Sequence, residues 1–117
     1  MNRTPVRQSS RPSAKEAINA ALELFNRRWT LRILWELRGE PMNFRQLQAA
    51  CGDLSASVLS QRLAELRDAL LVEHDAGSGY RLSRQGQDLL VAFKPLLDWA
   101  RPWAGAVARA RREAAAD

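Results

Sequence analysis

The chain has 117 residues, enough for one hydrophobic core and too few for two of ordinary size. A hydrophobic share of 46% with 26% charged residues excludes a disordered or fibrous chain, and no run approaches the roughly 20 apolar residues of a bilayer span. Eighteen basic against thirteen acidic side chains leave a net charge of +5, which suits either a nucleic-acid partner or plain solubility.

Sixteen of the eighteen basic residues are arginines, whose planar fork matches phosphates. The single cysteine, Cys51, excludes an internal disulfide. The start of the chain has no apolar signal-like stretch, so a reducing cytoplasm is the expected setting and no membrane partner is expected.

Residues 1–13 carry Arg3, Arg7 and Arg11 among prolines and serines, and read as a flexible basic arm. Ser13 and Glu16 have capping-box spacing, and Ala14, Ala17, Ile18, Ala21, Leu22 and Phe25 form a helical stripe. Asn26 reads as a left-handed stop. A second helix follows from about Arg28 to Arg38. Its apolar residues Trp29, Leu31, Ile33, Leu34, Trp35 and Leu37 cover most of its circumference, the pattern of a central helix. Gly39 and Pro41 end it.

The segment 43–69 reads as a helix–turn–helix. Asn43 caps a short helix, Cys51-Gly52-Asp53-Leu54 is the turn, and Ser55 caps a second helix to about Ala69 with Leu59, Leu63, Leu66 and Leu70 inward. Residues 71–82 form two short extended runs around a glycine-bearing loop, a hairpin placed as a wing. Ser83 opens an amphipathic pattern over 84–108, which Pro95 and Pro102 are expected to kink or split, and 109–117 is expected to fray. The fold class is therefore mainly α with a small β-hairpin, a winged helix–turn–helix domain over 14–108.

In such a unit the second helix enters the major groove. With its leucines inward, its outer face carries Ser57, Gln61 and Ala64, flanked by Ser60 on one side and Val58 and Glu65 on the other. Gln61 suits an adenine edge, and Ser57 and Ser60 suit bases or phosphates. Arg45, Ser55, Arg62, Arg81 and Arg84 are the expected phosphate contacts, although Arg45, Arg81 and Arg84 each also read as solvated surface charges. The hairpin tip is short and uncharged, so the wing is expected to brush the backbone.

Five blocks carry a resemblance: Ala21–Leu37, Phe44–Leu47, Leu54–Leu66, Leu70–Val72 and Tyr80–Gly86. Together they resemble the HxlR-type winged-helix transcription regulators, relatives of the MarR group, over about Ala14 to Trp103. The resemblance implies a homodimer on an inverted-repeat operator, with the first and last helices packed on their counterparts. The interface residues it points to are Ile18, Leu22, Phe93, Leu97, Trp99 and Trp103. The residues support this separately, because Trp99 and Trp103 lie on different stripes of the last helix and tryptophans are enriched at interfaces.

Many relatives carry a sensing cysteine near the start of the first helix; that position is Glu16 here, so no thiol switch is carried over. A glycine pair usual in the family is replaced by Asn26-Arg27, and the hairpin is shorter than the family's wing. Cys51 at the turn reads either as a redox gate or as a small buried hydrophobe.

Catalysis finds no support. His74 is a lone histidine read as a surface residue, and no metal spacing, phosphate loop or nucleophile motif is present, so no cofactor or metal is expected. The leading expectation is a sequence-specific DNA-binding regulator of double-stranded DNA. Two alternatives stand beside it: a winged-helix module that binds protein, and a regulator gated by a small hydrophobic effector between the terminal helices and the core, walled by Phe25, Trp29 and Trp35.

Overall fold

Ser13 opens the first helix by the reciprocal bonds its sequence implies. Its Oγ accepts from the Glu16 N–H at 3.1 Å, and the Glu16 carboxylate accepts from the Ser13 N–H at 2.8 Å. Two otherwise unpaired amides at the start of α1 (Ala14–Phe25) are thus satisfied. The computed structural model describes residues 11–116, so most of the expected basic arm lies outside the described residues.

The corner after α1 departs from expectation. Asn26 keeps a right-handed conformation at φ −69°, and the left-handed residue is Trp29 at φ 80°. Further turn bonds delay the reversal, from the Asn26 N–H to the Leu22 carbonyl and from the Thr30 N–H to the Arg27 carbonyl. Helix α2 (Thr30–Glu36) is therefore shorter than 28–38. It is also not buried all round. Thr30, Ile33 and Leu34 are buried, whereas Leu31 and Trp35 each keep 38% of their surface exposed.

Helix α3 (Phe44–Cys51) begins with a second capping box, between Asn43 and Gln46 at 2.8 and 2.9 Å. Cys51 is the last residue of this helix and not part of the turn. Gly52 takes φ +85°, Gln48 donates to the Leu54 carbonyl at 3.2 Å across the turn, and Ser55 caps α4 (Ala56–Asp68) through the Val58 N–H.

Leu59, Leu63 and Leu66 of α4 are buried as expected, but Leu70 is not: 69% of its surface is exposed. The helix stops before it. The Leu70 N–H reaches the Arg67 carbonyl and the Leu71 N–H reaches the Leu66 carbonyl, the paired bonds of a Schellman stop. Leu70 fills its left-handed position at φ 66°, where glycine is usual.

Strands β1 (Val72–Asp75) and β2 (Gly79–Leu82) pair antiparallel, with Val72 opposite Leu82 and Asp75 opposite Gly79. Met42 bridges to Tyr80 through both backbone bonds, so the segment before α3 lies along the outer side of β2. Gly79, at φ +100°, allows this approach; a Cβ there would meet the Met42 carbonyl oxygen at 2.5 Å.

The last helix, α5 (Arg84–Ala116), is continuous over 33 residues, about 50 Å at 1.5 Å rise. The expected split at Pro95 and Pro102 and the expected fraying after residue 108 are both absent from it. The prolines are seven residues apart and both exposed, so they share one face of the helix, away from the core. Ser83 ties its start down. Its hydroxyl donates to the Leu70 carbonyl at 2.6 Å and accepts from the Gly86 N–H at 3.0 Å.

The core gathers Ile33, Leu34 and Leu37 with Leu47 and the three buried leucines of α4, closed by Val72 and Leu82 of the hairpin. Each such side chain contributes about 1.5–3 kcal/mol on burial, so the helix–turn–helix and the wing share one support. Among the described residues, no helix is long and apolar enough to cross a membrane.

Candidate nucleic-acid interface

Burial of Leu59, Leu63 and Leu66 turns the opposite side of α4 outward, and Ser57, Ser60, Gln61 and Ala64 are all exposed there. No large apolar side chain stands on this face; Val58 at its edge is half-buried. The geometry brings together the three residues predicted to touch bases, on the helix whose N-terminal turn also presents free amides. The Ser55 Oγ accepts the Val58 N–H as the cap and lies 3.5 Å from the Ser57 Oγ, so both hydroxyls sit at the helix start.

The predicted phosphate contacts fare unequally. Arg45 is exposed in the first turn of α3 and is in no ion pair among the described residues. Arg81 on β2 pairs with Glu73 at 3.1 Å and stands 3.9 Å from Asp75, and Arg84 stands 3.7 Å from Asp88. These pairs are exposed and weak, so both guanidiniums remain able to exchange partners.

Arg62 is a correction. It points away from the solvent face: its Nε donates to the Arg28 carbonyl at 2.9 Å, and its Nη1 lies 3.2 Å from the Glu65 carboxylate. A guanidinium held by a backbone carbonyl and a carboxylate on the α1–α2 side is a brace and not a phosphate hook. The same contacts account for Glu65, an acidic residue beside the reading face, since Arg27 approaches it as well at 3.4 Å.

Arg67 is a basic residue that the leucine pattern did not single out. One hundred degrees per residue places it on the same edge of α4 as Ser60, and it is exposed. That edge overlooks a cleft of about 800 Å³ between α4, β1 and the start of α5, where Arg67, His74 and Arg84 all stand. His74 is exposed on β1, its ring stacked on Tyr80 at 4.2 Å. The signal was available in sequence, because Arg67 is two turns after Ser60 on the same helix.

Cys51 is buried in the core cluster, and burial pushes its thiol above the ordinary value, with Arg32 opposing the shift. A protonated, enclosed thiol is a poor nucleophile, so the structure supports the small buried hydrophobe and not the redox gate. Among the described residues, no three of His, Cys, Asp and Glu are grouped to hold a metal ion.

Of the six residues expected at a dimer interface, Ile18 and Leu22 on α1 and Leu97, Trp99 and Trp103 on α5 are exposed. Trp99 and Trp103, expected on different stripes, stack on each other at 5.3 Å: four residues apart, they share one stripe of α5. Phe93 differs. It is half-buried and packs on Phe25 with ring centroids 5.4 Å apart, so it holds α5 to α1 within one chain. The expected effector pocket is also rearranged. An open groove of about 510 Å³ beside α1 includes Phe25, Leu24, Leu71 and Leu89, whereas Trp29 lies at the α1–α2 corner and Trp35 packs under the Arg38 guanidinium at 4.0 Å.

These features agree with known proteins. An HxlR-like helix-turn-helix family model matches residues 24–108. The uncharacterized HTH-type transcriptional regulator YvaP of Bacillus subtilis is 29% identical over 89 residues, 71% of this chain and 82% of YvaP. Among solved structures, quinone-bound YodB from B. subtilis superposes with a TM-score of 0.68 at 27% identity, covering 72% of this chain and 93% of that one. A protein described as a MarR-family regulator from Enterococcus faecalis superposes at 0.70 with 28% identity, covering 83% of this chain and 94% of that one. With the winged helix–turn–helix fold, the outward face of α4 and the family match in accord, the chain belongs to the HxlR-like helix-turn-helix family of transcriptional regulators.

Proposed function

We propose that the chain binds double-stranded DNA in the cytoplasm as a homodimer and reads an inverted repeat with α4 in the major groove. The observation that carries this reading is the exposed, small and polar face of α4: Ser57, Ser60 and Gln61 with nothing bulky beside them. A protein-binding helix presents aromatics or leucines outward instead, and α4 has none there. On this reading Arg45 and Ser55 on one side, and Arg67, Arg81 and Arg84 on the wing side, hold backbone phosphates. The second copy covers the apolar surface of α1 and α5 at Ile18, Leu22, Leu97, Trp99 and Trp103, which would otherwise leave two stacked tryptophans in water. Two-fold symmetry then sets half-sites roughly 10 bp apart, one turn of the duplex.

A second reading adds a small effector to the same regulator. The likeness to YodB, solved with a quinone bound, and the open groove beside α1 favour it. The function is tested by titrating the protein, at several salt concentrations, onto DNA from upstream of its own gene and onto random duplex. Tight, selective binding to the upstream DNA supports the proposal; weak binding that is indifferent to sequence contradicts it.

A further inference from the structure

The corner between α1 and α2 holds charge and strain that the DNA-facing surface does not use. Trp29 sits there at φ 80°, a costly conformation for an aromatic residue and one that clusters at ligand clamps and switches. Around it lies an open cavity of about 320 Å³, with apolar walls from Phe25, Trp29 and Leu31 and cationic ones from Arg27, Arg28 and Arg32. Two of these arginines are already paired, Arg27 with Glu65 at 3.4 Å and Arg32 with Glu36 at 2.7 Å. Arg28 is in no ion pair among the described residues, and its guanidinium lies 5.5 Å from the centre of the Trp29 ring. Flat apolar walls beside a guanidinium that is in no ion pair suit an aromatic ring bearing a carboxylate. The volume is at the small end of ligand sites and suits a single ring.

The corner is also wired to α4. The Arg28 carbonyl accepts the Arg62 Nε–H at 2.9 Å, and Arg27 shares the Glu65 carboxylate with Arg62. The loop that forms the cavity is thus tied twice to the helix that carries Gln61.

We propose that this corner binds a small aromatic carboxylate and that α4 registers the event. The ligand's carboxylate, seated between Arg28 and Arg27, competes with Glu65 for the Arg27 guanidinium. Glu65 flanks the reading face, so its less compensated charge then opposes a nearby phosphate. Occupancy therefore weakens DNA binding, and DNA weakens the ligand by the same factor. This last step rests on the DNA-binding reading above; the site itself does not.

The test uses the full chain, benzoate as probe, benzyl alcohol as its neutral counterpart, and constant ionic strength. The Trp29 indole N–H resonance, identified by its loss in Trp29→Phe, is expected to shift saturably with benzoate and not with benzyl alcohol. Arg28→Gln is expected to abolish the shift while keeping the parent's melting temperature and DNA affinity. Benzoate is expected to weaken binding to the upstream DNA about 5-fold or more. Glu65→Gln is expected to keep the indole shift and lose that response. The site is overturned if benzoate leaves Trp29 unmoved, if benzyl alcohol moves it equally, or if the shift survives Arg28→Gln. It is likewise overturned if Arg28→Gln itself abolishes DNA binding, which would make Arg28 a DNA contact. An indole shift without any change in DNA affinity overturns the coupling. A protein that shows the shift and selects no DNA sequence contradicts the regulator reading and leaves the site standing.

Discussion

Leu70 shows how a single backbone angle overrules a side-chain pattern. Its spacing continues the buried leucines of α4, yet it occupies the left-handed stop and holds 69% of its surface in water. The left-handed conformation costs an L-residue about 1–2 kcal/mol, and little apolar burial offsets it. Leu70→Gly is accordingly expected to raise stability by about 1 kcal/mol once the extra freedom of unfolded glycine is subtracted. A higher urea midpoint at unchanged slope checks this; a lower midpoint would show that the side chain makes a stabilising contact. Cys51 gives a second expectation at this scale. Its thiol holds its proton more tightly folded than unfolded, because burial disfavours the thiolate. Its contribution is therefore complete below the ordinary thiol range and lost as pH rises through it toward the folded-state value, since the unfolded chain releases its proton first. Comparing unfolding free energies of parent and Cys51→Ala from pH 7 to 10 isolates this: the parent should fall more steeply above about pH 8.5. Parallel curves would contradict it.

Element by element, the caps were the most legible features. Ser13 with Glu16, Asn43 with Gln46, and Ser55 each act locally, over three residues, so their bonds follow from spacing alone. The outward face of α4 was legible for a similar reason, as three well-buried leucines fix the helix's rotation. What escaped was decided across the fold. Arg62 lies on the flank of α4 that meets the α1–α2 corner, and no periodicity within α4 reveals a carbonyl 34 residues earlier. The Met42 bridge to Tyr80 and the left-handed Trp29 are likewise set by tertiary closure. The proline rule led to an expected split that α5 does not show, because both prolines fall on one exposed face that packs on no other element of the core. The brace reading of Arg62 separates it from Arg45. Arg62→Ala should cost about 1.5–3 kcal/mol, the range for a hydrogen bond with a charged donor, whereas Arg45→Ala should stay within about 0.5 kcal/mol. Equal effects in denaturant titrations would return Arg62 to the surface.

For the whole molecule, the long axis of 68 Å reflects α5, which carries stacked Trp99 and Trp103 on an exposed surface. A second copy is the proposed cover. The double variant Trp99→Ala, Trp103→Ala is expected to sediment as a monomer and to bind a single half-site about as well as the parent. It should lose the extra affinity, about 100-fold or more, that linkage confers on the two-half-site duplex. A double variant that remains dimeric would move the interface elsewhere.

The most direct test of the central claim, that α4 reads DNA sequence, compares Gln61→Ala with Arg45→Ala in anisotropy titrations on the upstream duplex, its single-base variants and random DNA. The parent should prefer its site at least about 1,000-fold over random duplex. Gln61→Ala should lose about 1–3 kcal/mol of discrimination at one base pair. Arg45→Ala should weaken every duplex alike and lower the salt slope by about 1. Equal affinity of the parent for all duplexes, or a Gln61→Ala protein with undiminished base preference, would contradict it.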